Sequence, residues 1–111
     1  MKILMRIENS SFIISAEGAF SDGDCRTLQE ALEQSTGSFC RRVLVDLKNL
    51  QNITPTGQRI LLTFLTRLRA QRMPLILCHV NQSVQAALSS SGLDKVIAIS
   101  PTIQEAQALP L

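Results

Sequence analysis

The sequence has few of the side chains on which catalytic, metal and nucleic-acid sites depend. It contains no tryptophan, no tyrosine and four phenylalanines, so the aromatic surfaces on which single-stranded nucleic acid stacks are scarce. A single histidine and three widely spaced cysteines do not make a zinc framework. The sequence also has no glycine-rich phosphate loop. We therefore expect no metal, no cofactor and no nucleic-acid partner.

The pair Cys78 and His79 comes closest to a nucleophile with its base. Both are expected in a strand over 75–80, where adjacent side chains point to opposite faces, so they should not pair. Asp46 has no second carboxylate near it in the sequence for acid–base chemistry. We therefore expect a protein that is not an enzyme, with its thiols serving as small buried apolar groups.

The chain also lacks a long apolar segment. No run reaches the roughly 18 residues that a membrane-spanning helix needs, so no direct membrane insertion is expected. The N-terminal residues meet a charge too early for a secretory leader. A length of 111 residues, 45% of them hydrophobic, predicts one globular domain over 1–111. Reduced cysteines and the missing leader together predict a cytoplasmic location.

Charge is present but divided between segments. The net charge is only +2, yet residues 17–33 are mainly acidic and residues 41–72 mainly basic. The basic segment predicts either a face for an acidic partner or a solvated helix surface. The sequence leaves both interpretations open.

Hydrophobic periodicity predicts an α/β fold with the element order ββαβαβαβα. Apolar runs indicate strands and apolar residues spaced by three and four indicate helices. The strand–helix–strand units require right-handed crossovers, which predicts a small mixed sheet with helices packed mainly on one side. The expected strands are 2–7, 12–16, 43–47, 75–80 and 96–99. The first expected helix is capped by Ser21 or Asp22 and stops at Gly37, and the others are 55–71, 82–90 and 101–108.

Local signals predict where several helices begin. Asn81 is a favourable N-cap for the third helix, and Ser100 before Pro101 predicts the start of the fourth. A polar cluster at 8–11 predicts a four-residue turn between the first two strands.

The segment 46–57 joins a buried strand to a helix and is the strongest candidate site. Ligands and partners of such sheets gather outside the carboxyl ends of the strands. Thr54 and Thr56 are both candidate caps, and the N–H groups at this helix start would favour an anion. Gly57 has a structural explanation as well, because close packing of the helix start would by itself require glycine.

This segment resembles the STAS domain, the family of sulphate-transporter domains and anti-sigma factor antagonists. The resemblance begins with a strand ending in Val45-Asp46-Leu47, followed by a turn and then by Thr56-Gly57 at the start of an apolar helix. It extends over nearly the whole chain, through Gly18, the strand 75–80, the Gly-Leu-Asp-Lys sequence at 92–95 and the closing segment 100–106.

The resemblance implies a non-enzymatic switch. In the antagonist branch of the family, the unmodified domain binds an anti-sigma factor, usually a serine kinase, and thereby releases the sigma factor. The kinase then phosphorylates a serine or threonine just before the glycine, which weakens the complex. Carried over to this sequence, the acceptor is Thr56.

The sequence departs from the family pattern around this acceptor. Thr54 stands where the family usually has aspartate, Pro55 replaces a serine, and Gln58 and Arg59 replace small or apolar residues. The residues expected to form the partner surface around Thr56 are Asp46, Asn52, Thr54, Gly57, Gln58, Arg59, Ile60 and Leu62.

A second interpretation is a constitutive docking subunit. Some STAS-like domains bind the ATPase subunit of a lipid-transporting ABC complex and are not controlled by phosphate. Arg59, Ile60 and Leu62 would then make the contact, because apolar side chains exposed on a helix are typical of interfaces. The sequence does not predict an oligomeric state.

Overall fold

The structure is a computed structural model that describes residues 1–109. It has five strands and four α-helices in the predicted order ββαβαβαβα, with single 3₁₀ turns before α1 and before β5. The bounds are β1 Lys2–Glu8, β2 Ser11–Glu17, α1 Cys25–Thr36, β3 Arg42–Asp46, α2 Pro55–Ala70, β4 Leu75–Cys78, α3 Gln82–Ser91, β5 Ala98–Ser100 and α4 Ile103–Ala108.

The strands form one mixed sheet in the order β1-β2-β3-β4-β5. β1 and β2 are antiparallel, and each later neighbour in the sheet is parallel. The parallel pairs are joined through α1, α2 and α3, since parallel neighbours need a crossover connection. The carboxyl ends of β2, β3 and β4 consequently lie together at one end of the sheet, and α2 begins at that end.

The two faces of the sheet carry cores of different size. Alternate residues of β2 and β3 point to opposite faces, so Ile14 and Val45 join the main core under α1, α2 and α3. Ile13 and Leu44 instead join a small core with Ile103 of α4. The prediction that the helices lie mainly on one side is therefore confirmed, with α4 alone on the other face.

Three local predictions are wrong. The turn between β1 and β2 has two residues rather than four, because Asn9 and Ser10 both adopt positive φ, at 50° and 61°, as a tight hairpin requires. β4 ends at Cys78, and His79 lies beyond it with a φ of 54°. α4 is capped by Thr102, whose hydroxyl accepts from the Glu105 N–H, and not by Ser100.

Candidate functional site

The start of α2 is organised by Thr54. Its hydroxyl oxygen accepts a hydrogen bond from the Gly57 N–H at 3.1 Å, and its carbonyl accepts from the Gln58 N–H. Pro55 occupies the first helical position, where its missing N–H is not needed. Of the two candidate caps, Thr54 is therefore the one that forms. The side chain of Thr56 is left exposed to solvent on the first turn.

Gly57 is required by its packing against Phe20. A Cβ on Gly57 would lie 2.8 Å from the Cζ of Phe20, closer than such atoms approach, and 3.2 Å from the Cγ1 of Ile53, which is a tight contact. Phe20 is 4% exposed and therefore held in the core. The close packing expected at this glycine is confirmed, and the neighbour is the side chain of Phe20, three residues beyond the end of β2.

Asn52 fixes the position of Phe20. Its Oδ1 accepts from the Phe20 N–H and its Nδ2 donates to the Phe20 carbonyl, both at 3.0 Å. One side chain thus satisfies both backbone groups of a residue outside the sheet. Asn52 was predicted as a partner contact, and the structure gives its amide this internal role.

The loop between β3 and α2 is bonded to the segments that follow β2 and β4. The Gly18 N–H donates to the Asn49 carbonyl at 2.9 Å, beside a parallel bridge between Gly18 and Leu50. On the other side, the Asn81 amide donates to the Leu50 carbonyl at 2.5 Å. Gly18 adopts a φ of 96°, which favours glycine. These bonds hold the loop, and hence Thr56, in a defined position on the sheet.

A groove of about 770 Å³ begins at Pro55, the residue before Thr56, and lies between α2 on one side and the end of α3 with the segment that follows it on the other. Pro55, Gln58, Arg59 and Leu62 line it from the α2 side. The opposite wall consists of Ala87, Ser90, Ser91, Gly92, Leu93 and Val96, with Ile53 at the base.

A polar contact closes the base of this groove. Gln58 is 8% exposed, and its Oε1 accepts a hydrogen bond from the Ser91 hydroxyl. Leu62 lines the groove and is 44% exposed, so the groove has an apolar surface. An apolar surface next to a cation on Arg59 can take part in protein docking.

The predicted contact residues are only partly brought together. Thr54, Thr56 and Arg59 reach solvent around the start of α2, whereas Gln58 is buried. Ile60 is half-buried and packs against the main core instead, because it lies on a different side of the helix from Arg59 and Leu62.

Asp46 is separated from this surface. By strand alternation it shares the face of Leu44, the α4 side of the sheet, whereas α2 covers the other face. Its Oδ1 accepts from the Lys48 N–H at 3.0 Å, so Asp46 stabilises the turn after β3.

The Cys78 thiol is poorly suited to nucleophilic chemistry. Burial, assisted by the nearby negative charge of Asp46, raises the pKa of Cys78 to about 12. The thiolate is the reactive form of cysteine, so this thiol is inert near neutral pH. The reason predicted for the lack of pairing with His79 was wrong, since His79 lies outside the strand.

The basic segment does not form one continuous face. Arg42 is buried at the start of β3, where it donates to the Asn9 carbonyl and the Ser11 hydroxyl. Arg67 pairs with Glu33 of α1 at 3.0 Å and lowers the pKa of that carboxyl through a hydrogen bond. Arg59 is the member of this segment that reaches the groove.

Sequence reasoning missed the far wall of the groove. Ser91 and Val96 belong to a segment more than 30 residues beyond Gln58, and only the crossover from β4 to β5 brings it alongside α2. The sequence Ser-Ser-Ser-Gly at 89–92 indicates that α3 ends there. It does not indicate that this end of α3 faces α2.

Within residues 1–109, no three His, Cys, Asp or Glu side chains converge as a metal site would require. No helix in that part of the chain combines the length and apolarity needed to cross a membrane.

Comparison with known proteins places this arrangement in a family. The sequence profile of the STAS domain matches residues 2–106, which is nearly the entire chain. The chain belongs to the STAS domain family. A Bordetella bronchiseptica protein named as an anti-sigma factor antagonist, BtrV, is 25% identical over 108 residues, covering 97% of this chain and 93% of the relative.

Solved structures of anti-sigma factor antagonists share the STAS fold seen here. One from Mycobacterium paratuberculosis superposes with a TM-score of 0.83 at 17% identity, covering 96% of this chain and 91% of the other. The phosphorylated form of the Bacillus protein SpoIIAA gives a TM-score of 0.72 at 14% identity, with 95% and 96% covered. At these identities the structures establish the fold alone, a small mixed sheet with most of its helices on one face.

Proposed function

We propose that this STAS domain is a non-enzymatic, cytoplasmic partner-switching protein. It binds an anti-sigma factor, itself a serine kinase, through the surface at the start of α2. Phosphorylation of Thr56 by that partner weakens the complex. The observation that supports this proposal is the exposed Thr56 on a helix turn that Thr54, Asn52 and Phe20 hold in place.

The position of Thr56 suits reversible modification. A phosphate there adds about −1.5 to −2 charges, and the positive end of the α2 dipole favours that charge. The modification therefore leaves α2 folded. The modification instead weakens partner binding, because the phosphate would either lose its hydration within the docking surface or face a negative charge there.

The relatives agree with this proposal. BtrV and the Mycobacterium paratuberculosis protein are both named as anti-sigma factor antagonists. SpoIIAA has been solved in unphosphorylated and phosphorylated forms. The modified form keeps the fold, which fits a switch that acts on docking rather than on folding.

The proposal is tested by affinity capture from an extract of the source organism. Wild type, Thr56→Ala and Thr56→Glu serve as baits, and Thr66→Glu is the control because Thr66 is also exposed on α2. We expect a serine kinase to bind wild type, Thr56→Ala and Thr66→Glu. Thr56→Glu should retain at least about tenfold less of it. Equal retention by Thr56→Glu would contradict the proposal.

The exposed apolar side chain of Leu62 favours one alternative, the constitutive docking subunit. In that case a transporter ATPase would bind wild type and Thr56→Glu equally. Arg59→Glu would release it, because Arg59 lies in the groove beside Leu62. Retention of such an ATPase by Thr56→Glu would replace the switch with this second function.

A further inference from the structure

The outer edge of β1 is a long, exposed strand edge at one side of the sheet. β1 and β5 are the two edge strands, with seven and three residues. Among residues 1–109, β2 is the sole strand paired with β1. Met5 and Ile7 of β1 are 44% and 65% exposed although their β2 partners, Ile14 and Phe12, are buried. An apolar edge of this length is a template for pairing with another strand.

The hairpin turn determines which backbone groups face outward. It closes on the pair Glu8–Ser11, which in a two-residue turn exchanges hydrogen bonds across the strands. Hydrogen-bonded and non-hydrogen-bonded pairs alternate along antiparallel strands. Ile3, Met5 and Ile7 therefore direct their N–H and C=O groups away from β2.

The β1 sequence is complementary to itself in one antiparallel register. With Met5 opposite Met5 of a second copy, all seven residues find partners. Ile3 then lies opposite Ile7, with both residues on the apolar face. Lys2 lies opposite Glu8 on the other face, and the two-fold axis creates this charge pair twice.

The neighbouring registers lack this complementarity. If Leu4 instead of Met5 lies on the two-fold axis, Lys2 lies opposite Arg6 of the other copy. If Arg6 lies on the axis, it lies opposite Arg6 of the other copy. Both put like charges across from each other, which destabilises a strand pair, and both leave end residues unpaired.

We propose that the outer edge of β1 is a homodimer surface on which a second copy of this chain pairs antiparallel, with Met5 on the two-fold axis. The product is a continuous ten-stranded sheet. The surface lies at the opposite side of the sheet from the α2–α3 groove, because β4 and β5 are last in the strand order. Dimerisation and partner docking are therefore separate properties.

Charge exchange at Lys2 and Glu8 tests this register. Lys2→Glu and Glu8→Lys each convert two attractive pairs into two repulsive pairs, and each should weaken the dimer by about tenfold or more. An equimolar mixture of the two variants should associate, since every Glu then faces a Lys. The double variant Lys2→Glu/Glu8→Lys should dimerise like wild type.

Sedimentation equilibrium over a wide concentration range measures these affinities, and far-UV circular dichroism confirms that each variant is folded. Glu30→Lys on α1 is the control for net charge, because Glu30 is exposed and lies outside β1. We expect Glu30→Lys to dimerise like wild type. A wild type that stays monomeric at every concentration would overturn the proposal. A dimer that persists in both single variants would also overturn it, because a different surface would then hold the second copy.

Discussion

Gly57→Ala tests how the start of α2 is held. The added Cβ would lie 2.8 Å and 2.9 Å from the Cζ and Cε1 of Phe20. The ring has little room to move, because Phe20 is buried and Asn52 binds both of its backbone groups. Overpacking of this kind costs typically about 1–3 kcal/mol. The better helix propensity of alanine offsets less than about 1 kcal/mol at the first turn.

We therefore expect Gly57→Ala to lower the free energy of unfolding by about 1–2 kcal/mol and the midpoint temperature by roughly 5–10 °C. Urea unfolding followed by far-UV circular dichroism measures the change. Gly37→Ala is the matched control, because its Cβ would lie 3.9 Å from the Gln34 carbonyl oxygen, an ordinary van der Waals distance, and Gly37 has a φ of −93°. That control should be neutral or slightly stabilising.

A double-mutant cycle separates the ring contact from other effects. In a Phe20→Leu background the ring atoms are gone, so Gly57→Ala should lose much of its destabilising effect. Our explanation is refuted if Gly57→Ala is as stable as wild type. It is also refuted if the full deficit persists beside Leu at position 20.

Substitutions at three further positions test the support of α2, two at its start and one at its contact with α1. Asn52→Ala should destabilise by about 1–3 kcal/mol in urea unfolding because both backbone groups of Phe20 lose their partner. Asn52→Asp keeps an acceptor for the Phe20 N–H but turns a second acceptor toward the Phe20 carbonyl, so it should not restore wild-type stability. Thr54→Ala should cost about 0.5–2 kcal/mol by the same assay through loss of the N-cap, and Thr54→Ser should recover most of it. Arg67 lowers the pKa of Glu33, so the stability this pair contributes is fully present above the ordinary pKa of 4.5 and is lost as the pH falls from there through the lowered pKa. Glu33→Gln should therefore be less stable than wild type at neutral pH and equal to it in acid, as measured by thermal unfolding across that pH range.

The element order was predictable because periodicity reports burial directly. Leu61, Phe64, Leu65 and Leu68 recur at helical spacing and are all buried in α2. A nearly continuous apolar run such as that of β3 is typical of a strand covered on both faces, and the two cores cover it in the structure.

Local ends were less predictable where tertiary contacts decide them. The apolar run at 75–80 continues through Val80, but the strand ends at Cys78, whose carbonyl accepts from the Leu47 N–H. Ser100 stays paired in β5, and its hydroxyl donates to the Thr102 carbonyl, so Thr102 becomes the cap of α4.

The candidate site was predictable in its chain-local part. Thr54, Pro55 and Gly57 carry signals of a helix start within four residues of sequence. The role of Asn52 and the wall formed by Ser91 depend on partners about 30 residues away. Spacing within one segment carries no information about such contacts.

The central claim is that a negative charge at Thr56 controls partner binding. The most direct measurement is the affinity of the purified partner kinase for wild type before and after incubation with ATP, with intact-mass analysis of the phosphate gained. We predict that wild type gains one phosphate and loses affinity by at least about tenfold, whereas Thr56→Ala gains none and keeps its affinity. Equal phosphate incorporation in Thr56→Ala, or unchanged affinity of phosphorylated wild type, would contradict the account.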